Sequence, residues 1–336
     1  MPLYVTIAQS MSRILGIGSA PSGTHPPQDP GSRPRRRQDK HVSPSAVTER
    51  EIHSQPEVWA RALAGGPATG SVLGAPGERV LVLGCGTSAF VAEAIAVLRE
   101  DAGLGETDAA YASEWHPTRP YDRVVVISRS GTTSECLEAL AAVPAGTRTA
   151  AVVGVAGTPV ALAADDVLVL DLADEESVVQ TRFPTTVLAV ARQAFGENLS
   201  DHVEQAERAL AAPLPVEPGA FEHFVFLGRS WAYGLAQEAA LKIREAAQAW
   251  SESYPALDYR HGPVAVATDA TLVILLGDDD PALAEDVRRT GATVVHLAGD
   301  PLVQLVQCQR LAVALAADRG LDADAPRHLT RSVVLG

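Results

Sequence analysis

Runs of aliphatic residues alternate with longer amphipathic stretches from residue 79 to near the C-terminus. Continuous apolar runs such as 80–83 and 124–127 are typical of strands buried on both faces, and the stretches after them have helical character. Strands that alternate with helices indicate a parallel sheet with helices on both faces. Further strands are predicted at 150–154, 167–170, 224–227, 271–276 and 293–297. The pattern predicts an α/β fold.

The alternation is interrupted once, by a polar helix near 201–212 and the Pro-rich segment 213–215, and then restarts. A pattern that restarts in this way predicts two similar α/β domains in tandem. The expected divisions are a first domain with a leading helix at 45–195, a helix and linker at 196–218, and a second domain at 219–336. The leading helix, over about 48–64, contains Pro56, which would kink it or divide it into two helices.

Residues 1–44 differ from the rest of the chain in composition. Pro, Ser, Gly and Arg dominate the segment 21–44, which includes the basic cluster 35–37. Because this stretch has too little apolar content to fold alone, it is predicted to be a disordered tail. The basic cluster leaves a nucleic-acid-binding arm as the alternative.

Composition and charge narrow the class of function. The chain has 336 residues, 46% of them hydrophobic, and 41 acidic against 27 basic residues give a net charge of −14. Such an acidic body argues against a nucleic-acid partner. The three cysteines lack the spacing of a metal site, and no apolar run approaches the roughly 20 residues that span a bilayer. We therefore expect a cytoplasmic protein with no membrane partner, no metal and no cofactor.

Two of the predicted strand–helix turns carry glycine together with clustered hydroxyl groups, at 86–88 and at 128–133. Such turns lie at the carboxyl ends of strands, where open α/β sheets bind ligands, and the free N–H groups that open the next helix favour an anion. Neither turn has the spacing of a P-loop or of a dinucleotide-binding motif. The pair predicts a phosphate-binding site, with simple capping of the two helices as the alternative.

A third polar cluster lies on the first helix predicted in the second half. Glu238, Lys242 and Glu245 follow one another at spacings of four and three, so they share one helical face. Lys242 is one of only two lysines in the chain, which favours a chemical requirement for an amine. The alternative is an ordinary ion pair on a solvated face, worth roughly a few tenths of a kcal/mol. Glu252, and His261 in a His-Gly-Pro turn, follow in the same stretch.

Taken together, these residues resemble the sugar isomerase (SIS) family, in particular double-domain members such as the isomerase half of glucosamine-6-phosphate synthase and the tagatose/galactosamine-6-phosphate isomerase-deaminase type. The segments that carry the resemblance occur in the family's order from about residue 50 to the C-terminus. They are GCGTSAF at 84–90, SRSGTTSE at 128–135, EESVVQTRFPTT at 175–186, EAALKIRE at 238–245, RHGP at 260–263 and PRHLTRSVV at 326–334.

The resemblance implies a fold and a set of site residues. Each domain would be a five-stranded parallel sheet of flavodoxin-like type, and the phosphate of a hexose 6-phosphate would lie on the two hydroxyl-rich turns. Glu245 would be the base that moves a proton between C1 and C2, with Glu238 and Lys242 beside it, and His261 would help to open the sugar ring. The residues implied for phosphate binding are Thr87, Ser88, Ser128, Arg129, Ser130 and Thr133.

The resemblance also implies partners and a pocket. In the synthase-like relatives the residue at the position of His261 comes from the neighbouring subunit, which implies a homodimer. Thr181 and Glu252 would line the sugar pocket, and Glu252 is also the second candidate for the base.

The sequence departs from the family's pattern at three places. Arg129 stands where the synthase has glutamine, and an arginine there could pair with phosphate directly. Arg331 stands where the synthase has a lysine that forms a Schiff base with the keto sugar, which an arginine cannot do. No glutaminase domain precedes the first predicted sheet, so we expect no synthesis of glucosamine 6-phosphate from glutamine.

Two functions remain open at this stage. The first is an isomerase or deaminase that acts on a hexose or amino-hexose 6-phosphate by proton abstraction next to a carbonyl. The second is a non-catalytic sugar-phosphate-binding regulatory protein, which would need the turns but not Glu245 or Lys242. The intact set of Glu238, Lys242, Glu245 and His261 favours an enzyme.

Overall fold

The computed structural model describes residues 45–65, 72–277 and 279–335. The tail predicted over residues 1–44 lies outside the described residues.

Five parallel strands form the first sheet, in the order β2-β1-β3-β4-β5. This is the strand order of flavodoxin-like sheets, as the resemblance implied. The strands are β1 (Val80–Gly84), β2 (Thr107–Tyr111), β3 (Arg123–Ser128), β4 (Arg148–Val153) and β5 (Asp166–Val169). The aliphatic pattern missed β2, because this edge strand has the sequence TDAAY and is only partly buried.

The second sheet is also parallel, but it has four strands in the described residues, so the expectation of five was wrong. Its order is β7-β6-β8-β9, with β6 (His223–Gly228), β7 (Trp250–Pro255), β8 (Thr271–Leu276) and β9 (Thr293–His296). After β9 the chain enters a long helix, and the segment after that helix hydrogen-bonds to turns of the first sheet. Within the described residues the chain therefore does not return to add a fifth strand.

The helices cover both faces of the sheets. They are α1 (Ala46–His53), α2 (Gln55–Ala64), α3 (Thr87–Asp101), α4 (Ser134–Ala142), α5 (Pro159–Ala163), α6 (Arg182–Ala194), α7 (His202–Ala211), α8 (Ala232–Ala247), α9 (Pro281–Arg288) and α10 (Pro301–Asp318). The predicted leading helix is divided in two, and Pro56 lies in the first turn of α2, where a missing N–H costs nothing.

Alternate residues of each strand belong to different hydrophobic clusters. Val80 and Val82 of β1 join Phe224 and Phe226 of β6 in one central cluster, which also contains the buried faces of α3, α8 and α10. The opposite face of the first sheet packs on α4 and α5, and that of the second sheet packs on α9. The two sheets thus share one central layer of helices. The division into two tandem domains stays a prediction.

The first strand–helix turn of each sheet repeats the same local geometry. Gly84 and Gly228 end β1 and β6, and a Cβ on either would lie 2.4 Å or 2.3 Å from the backbone of the residue four positions on. Two residues later the backbone is left-handed in both turns, with φ of 53° at Gly86 and 52° at Ser230. A left-handed serine is uncommon. Its presence supports an internal repeat of this turn.

Candidate active site

The two hydroxyl-rich turns meet in a small polar cavity, here called the polar cup, at the carboxyl ends of β1 and β3. Its volume is about 40 Å³. That is room for about three water-sized groups, which suits a phosphate group and excludes a whole hexose. The cup is lined by Cys85, Ser88, Ile127, Ser128, Arg129, Ser130, Thr133, Cys136, Gln180 and Arg331.

The second turn is held in shape by its own hydroxyls and by one glycine. The backbone N–H of Gly131 donates to Ser128 Oγ at 3.1 Å, and Ser128 Oγ lies 3.4 Å from Thr133 Oγ1. Gly131 has φ of 64°, and a Cβ there would lie 2.0 Å from Thr158 Oγ1. Only glycine fits this position. The turn therefore presents its hydroxyls from a fixed backbone.

Arg129 is buried beneath the cup, and its terminal nitrogens are already engaged. Nη1 donates to the carbonyl of Ser177 at 2.6 Å, and Nη2 donates to the carbonyl of Arg331 at 2.9 Å. Burial lowers the pKa of the guanidinium, while Glu175, 4.0 Å away, acts in the opposite direction. Arg129 thus ties the turn to the C-terminal segment, and its direct contact with phosphate stays a prediction.

The C-terminal segment lies over the second turn. The carbonyl of Val333 accepts from the N–H of Ser134, the first residue of α4, at 3.2 Å. Ser130 Oγ donates to Ser332 Oγ at 3.2 Å. Arg331 lines the cup and donates to the Glu175 carbonyl and to a neighbouring carboxylate, that of Asp174. The position expected for a Schiff-base lysine therefore holds a fixed cation that cannot form an imine.

Glu175 is a buried carboxylate that sequence reasoning did not single out. Its Oε1 accepts from the backbone N–H of Thr181 at 2.5 Å, from Thr181 Oγ1 at 2.7 Å and from the N–H of Arg182 at 2.8 Å. Burial raises its pKa. Thr181, expected to line a sugar pocket, is buried with its hydroxyl committed to Glu175. The motif at 175–186, which also contains the cup residue Gln180, was the available signal.

The acidic–lysine cluster on α8 is buried, so the alternative of a solvated surface pair was wrong. Lys242 Nζ lies 3.1 Å from Glu238 Oε1 and 2.5 Å from Glu245 Oε2. It also donates to Thr87 Oγ1 at 3.3 Å, so Thr87 faces this cluster and is not among the residues that line the cup. The side chains of Glu238 and Lys242 are 1% exposed, whereas that of Glu245 is 18% exposed.

The charges in this cluster shift one another's protonation. Burial raises the pKa of Glu238 to about 7, although the neighbouring Lys242 acts against the shift. For Lys242, burial disfavours the charged form, but the two carboxylates prevail and its pKa is raised. The lysine is therefore held as a cation between two carboxylates, one of which takes up a proton near neutral pH.

His261 and Glu252 lie apart from both groups. His261 is exposed in an open cleft at the carboxyl end of β6, beside Arg229 and Asp258. Among the described contacts it forms no hydrogen bond or ion pair with the cluster on α8. Glu252 lies on the edge strand β7, with Oε2 3.3 Å from His223 Nε2. Within one chain Thr87 thus joins α8 to the first hydroxyl-rich turn, whose Ser88 lines the cup, but neither His261 nor Glu252 joins this group.

Among the residues described, no helix combines the length and apolar character needed to cross a membrane.

The homologues of this chain are the isomerase (SIS) half of glutamine–fructose-6-phosphate aminotransferases, and its structural neighbours are phosphosugar isomerases of the SIS fold. The resemblance to SIS proteins is confirmed. No protein-family model matches the sequence.

Individual relatives give the extent of the similarity. The aminotransferase of Methanothermobacter thermautotrophicus is 28% identical over 85% of this chain and 57% of its own length. That of Symbiobacterium thermophilum is 30% identical over 85% of this chain and 58% of its own. The chain therefore spans little more than half the length of these relatives.

Two solved structures superpose over nearly their whole length. Glucosamine-6-phosphate deaminase of Thermotoga maritima is 26% identical, with a TM-score of 0.77 over 86% of this chain and 100% of its own. Tagatose-6-phosphate ketose/aldose isomerase of Escherichia coli is 20% identical, with a TM-score of 0.70 over 88% and 99%, and shows the fold alone.

Proposed function

We propose that the protein is an isomerase or deaminase that moves a proton between C1 and C2 of a hexose or amino-hexose 6-phosphate. The polar cup is the proposed phosphate site, because it offers serine and threonine hydroxyls and two helix N-termini to an anion. Its volume means that the sugar itself extends beyond the cup. The deaminase and isomerase names of the structural neighbours support this substrate class.

The observation that carries the proposal is the differing exposure of the three charged residues on α8. Of the three side chains only that of Glu245 is partly exposed, at 18%, while that of its partner Lys242 is 1% exposed. A base must reach its substrate's proton, so Glu245 is the proposed catalytic base. Lys242 holds that carboxylate in place and links it to Thr87, the first residue of the helix that follows the first turn.

Glu238 has a separate proposed role as a positioning residue. It lies 3.1 Å from Lys242 and is as deeply buried. Because its pKa is about 7, the Glu238 carboxyl can take up or release a proton at working pH, and the charge of its ionised form is balanced by Lys242. Lys242 then remains charged in both states of Glu238.

A homodimer completes the proposed site. His261 is exposed and lines a cleft whose other lining residues do not include Glu245 of its own chain. Ring opening needs an acid or base near the ring oxygen, which an imidazole supplies near neutral pH. The proposal is that the His261 of one chain serves the cup and α8 of the other.

Glu245→Gln tests this function, because it keeps the shape of the side chain and removes the base. We expect turnover to fall by roughly 10²–10⁴-fold, the usual contribution of a general base. Substrate affinity should stay within a few-fold, since the cup holds the phosphate. Proton NMR in deuterated water follows exchange at C1 or C2 of glucosamine, fructose and tagatose 6-phosphates, and release of ammonium separates a deaminase from an isomerase.

Glu252→Gln is the matched control, because Glu252 is the second carboxylate considered for the base. We expect it to retain near wild-type exchange, since its carboxylate faces His223 on the edge of the second sheet. Wild-type exchange in Glu245→Gln together with its loss in Glu252→Gln would reverse the assignment.

One observation favours a second candidate, a non-catalytic sugar-phosphate-binding protein. Arg331 lines the cup where a Schiff-base lysine was expected, which adds charge for binding and removes covalent chemistry. Saturable binding of hexose 6-phosphates by the wild-type protein, without any hydrogen exchange or ammonium release across the panel, would support this candidate.

A further inference from the structure

Two thiols that the proposed reaction does not use line the polar cup. Cys85 lies in the turn between β1 and α3, and Cys136 lies in the first turn of α4. Both side chains line this one cavity together with Ser88 and Ser128, and both belong to the hydrophobic cluster that packs on α4 and α5. The pair therefore bridges the two turns proposed to hold the phosphate.

The two thiols differ in exposure and in charge preference. Cys85 is half-buried, whereas Cys136 is fully buried. Pairing with Cys136, helped by the backbone at Ala112 and Ser113, lowers the pKa of Cys85, although burial and the nearby Glu135 carboxylate act against this. The same pairing, together with burial, raises the pKa of Cys136. The arrangement is a partly exposed thiol with a lowered pKa, close in sequence to the N-terminus of α3, beside a buried thiol with a raised pKa.

We propose that Cys85 and Cys136 form a peroxide-sensitive pair whose disulfide closes the polar cup. The Cys85 thiolate attacks one oxygen of hydrogen peroxide, the O–O bond breaks, and the departing hydroxide takes a proton to form water. The sulfur is left as a sulfenic acid. The sulfur of Cys136 then attacks that of Cys85, its proton is lost, and the S–O bond breaks to release a second water. Peroxide is reduced by the two electrons that the thiols lose.

Closure of the cup follows from its size. A cavity of about 40 Å³ has no room for both a disulfide across its lining and a phosphate group. Formation of the disulfide does not depend on the proposed function, whereas its effect on ligand binding rests on that proposal. Transient disulfides of this kind also occur in reducing compartments, where they are reversed by cellular thiols.

The first experiment measures the thiol chemistry itself. The reduced protein is treated with hydrogen peroxide, and its thiols are counted and mapped by mass spectrometry, with the buried Cys308 as internal reference. We expect a cross-link between Cys85 and Cys136 within one chain, reversed by dithiothreitol. Cys136→Ser should stop at a sulfenic acid on Cys85 that dimedone traps. Cys85→Ser should lose its Cys136 thiol about tenfold more slowly than the wild-type protein.

Other outcomes would overturn the thiol pair. These are a cross-link to Cys308 or between chains, equal rates for Cys85 and Cys136 in the two single variants, or no loss of thiol at peroxide concentrations that oxidise free cysteine. Circular dichroism of both serine variants shows that each remains folded.

The second experiment measures closure of the cup. Binding of glucosamine 6-phosphate is compared for reduced protein, oxidised protein and oxidised Cys136→Ser. We expect at least a tenfold loss of affinity in the oxidised wild-type protein, and recovery on reduction. Unchanged affinity after complete cross-linking would overturn closure. If no sugar phosphate binds the reduced protein, the proposed function fails. Closure can then still be tested with inorganic phosphate. Its binding is measured by how well it protects Cys85 from alkylation by iodoacetamide.

Discussion

At the residue scale, the cluster on α8 is constrained by the burial of its charges. Removing one partner from a buried ion pair costs about 3–5 kcal/mol, whereas an exposed pair is worth about 0–1 kcal/mol. Lys242 is sealed between Glu238 and Glu245, so it belongs to the first class. The rarity of lysine in this chain is therefore matched by a position where the charge and the length of the side chain both matter.

The raised pKa of Glu238 predicts a pH dependence of stability. Its pKa rises from 4.5 in the unfolded chain to about 7 in the folded protein, so the folded state holds this proton more tightly. The stabilisation is fully present below about pH 4.5 and is lost as the pH rises through about 7. Relative to Glu238→Gln, the free energy of unfolding of the wild-type protein should fall by on the order of 1–3 kcal/mol between pH 5 and 8.

Urea denaturation at four pH values checks this difference. Glu138→Gln, on the exposed face of α4, is the control, and its curve should stay parallel to that of the wild-type protein. Parallel curves for Glu238→Gln as well would mean that Glu238 is ionised throughout this range.

At the element scale, the contact between α3 and α8 joins the cup to the proposed base. Gly234 of α8 makes the close approach possible, because a Cβ there would lie 2.5 Å from the carbonyl oxygen of Phe90 on α3. The same contact brings Lys242 within hydrogen-bonding distance of Thr87. A change in the spacing of the two helices thus alters the site without touching a polar residue.

Gly234→Ala tests this contact, and two effects of opposite sign compete. Alanine favours a helix over glycine by about 1 kcal/mol, but overpacking against a backbone atom costs typically about 1–3 kcal/mol. Because the obstacle is a carbonyl that cannot rotate away, we expect a net loss of stability and weaker turnover. Gly65→Ala, where a Cβ meets only an atom 3.4 Å away, is the control in thermal denaturation. A stabilised Gly234→Ala would show that the helices can separate freely.

The second turn gives a prediction about the ligand. Ser130→Ala combined with Thr133→Ala removes two hydroxyls from the cup, each worth roughly 0.5–1.5 kcal/mol, or more toward a charged acceptor. Affinity for sugar 6-phosphates should fall by about 5- to 150-fold, while affinity for the free sugars stays unchanged. Calorimetry with matched pairs of sugars measures both. An equal loss for both kinds of ligand would place the phosphate elsewhere.

At the scale of the whole molecule, the two sheets share a central layer of helices, but their ligand-facing turns differ. The first sheet presents hydroxyls at Ser88 and Ser128, whereas the turn after β6 presents Arg229 and a strained Ser230. One half therefore has the chemistry to bind phosphate, and the other exposes His261. This asymmetry is compatible with the proposed site shared between two chains.

Mixing of inactive variants tests that sharing. If His261 serves the neighbouring chain, His261→Ala and Glu245→Gln subunits, each inactive alone, should regain activity after they exchange. Random mixing of equal amounts places half of the chains in mixed dimers, and each mixed dimer holds one intact site of two. The expected recovery is therefore up to about a quarter of wild-type activity. Glu245→Gln mixed with Lys242→Met is the control and should stay inactive, because both changes lie on one helix. Absence of recovery after exchange verified by native mass spectrometry would place both residues in one chain's site.

The alternation of strands and helices, the two hydroxyl-rich turns and the spacing of Glu238, Lys242 and Glu245 could all be predicted from the sequence. These features are local, because buried strands read as aliphatic runs and one helical face repeats every three or four residues. Motif order also indicated the fold, which the structural neighbours confirm. The polar edge strands β2 and β7 escaped detection, because an edge strand buries too little to show an aliphatic run.

Only the tertiary structure decided which of these local features meet. Thr87 and Lys242 are 155 residues apart in the chain, and their contact depends on how closely α3 and α8 pack. The burial of Glu175 and the path of the C-terminal segment over the second turn are likewise contacts across the chain. Periodicity reports which face of an element is buried but not against what it is buried. The same charged spacing can therefore lie on a solvated surface or, as on α8, in a sealed cluster beside the cup.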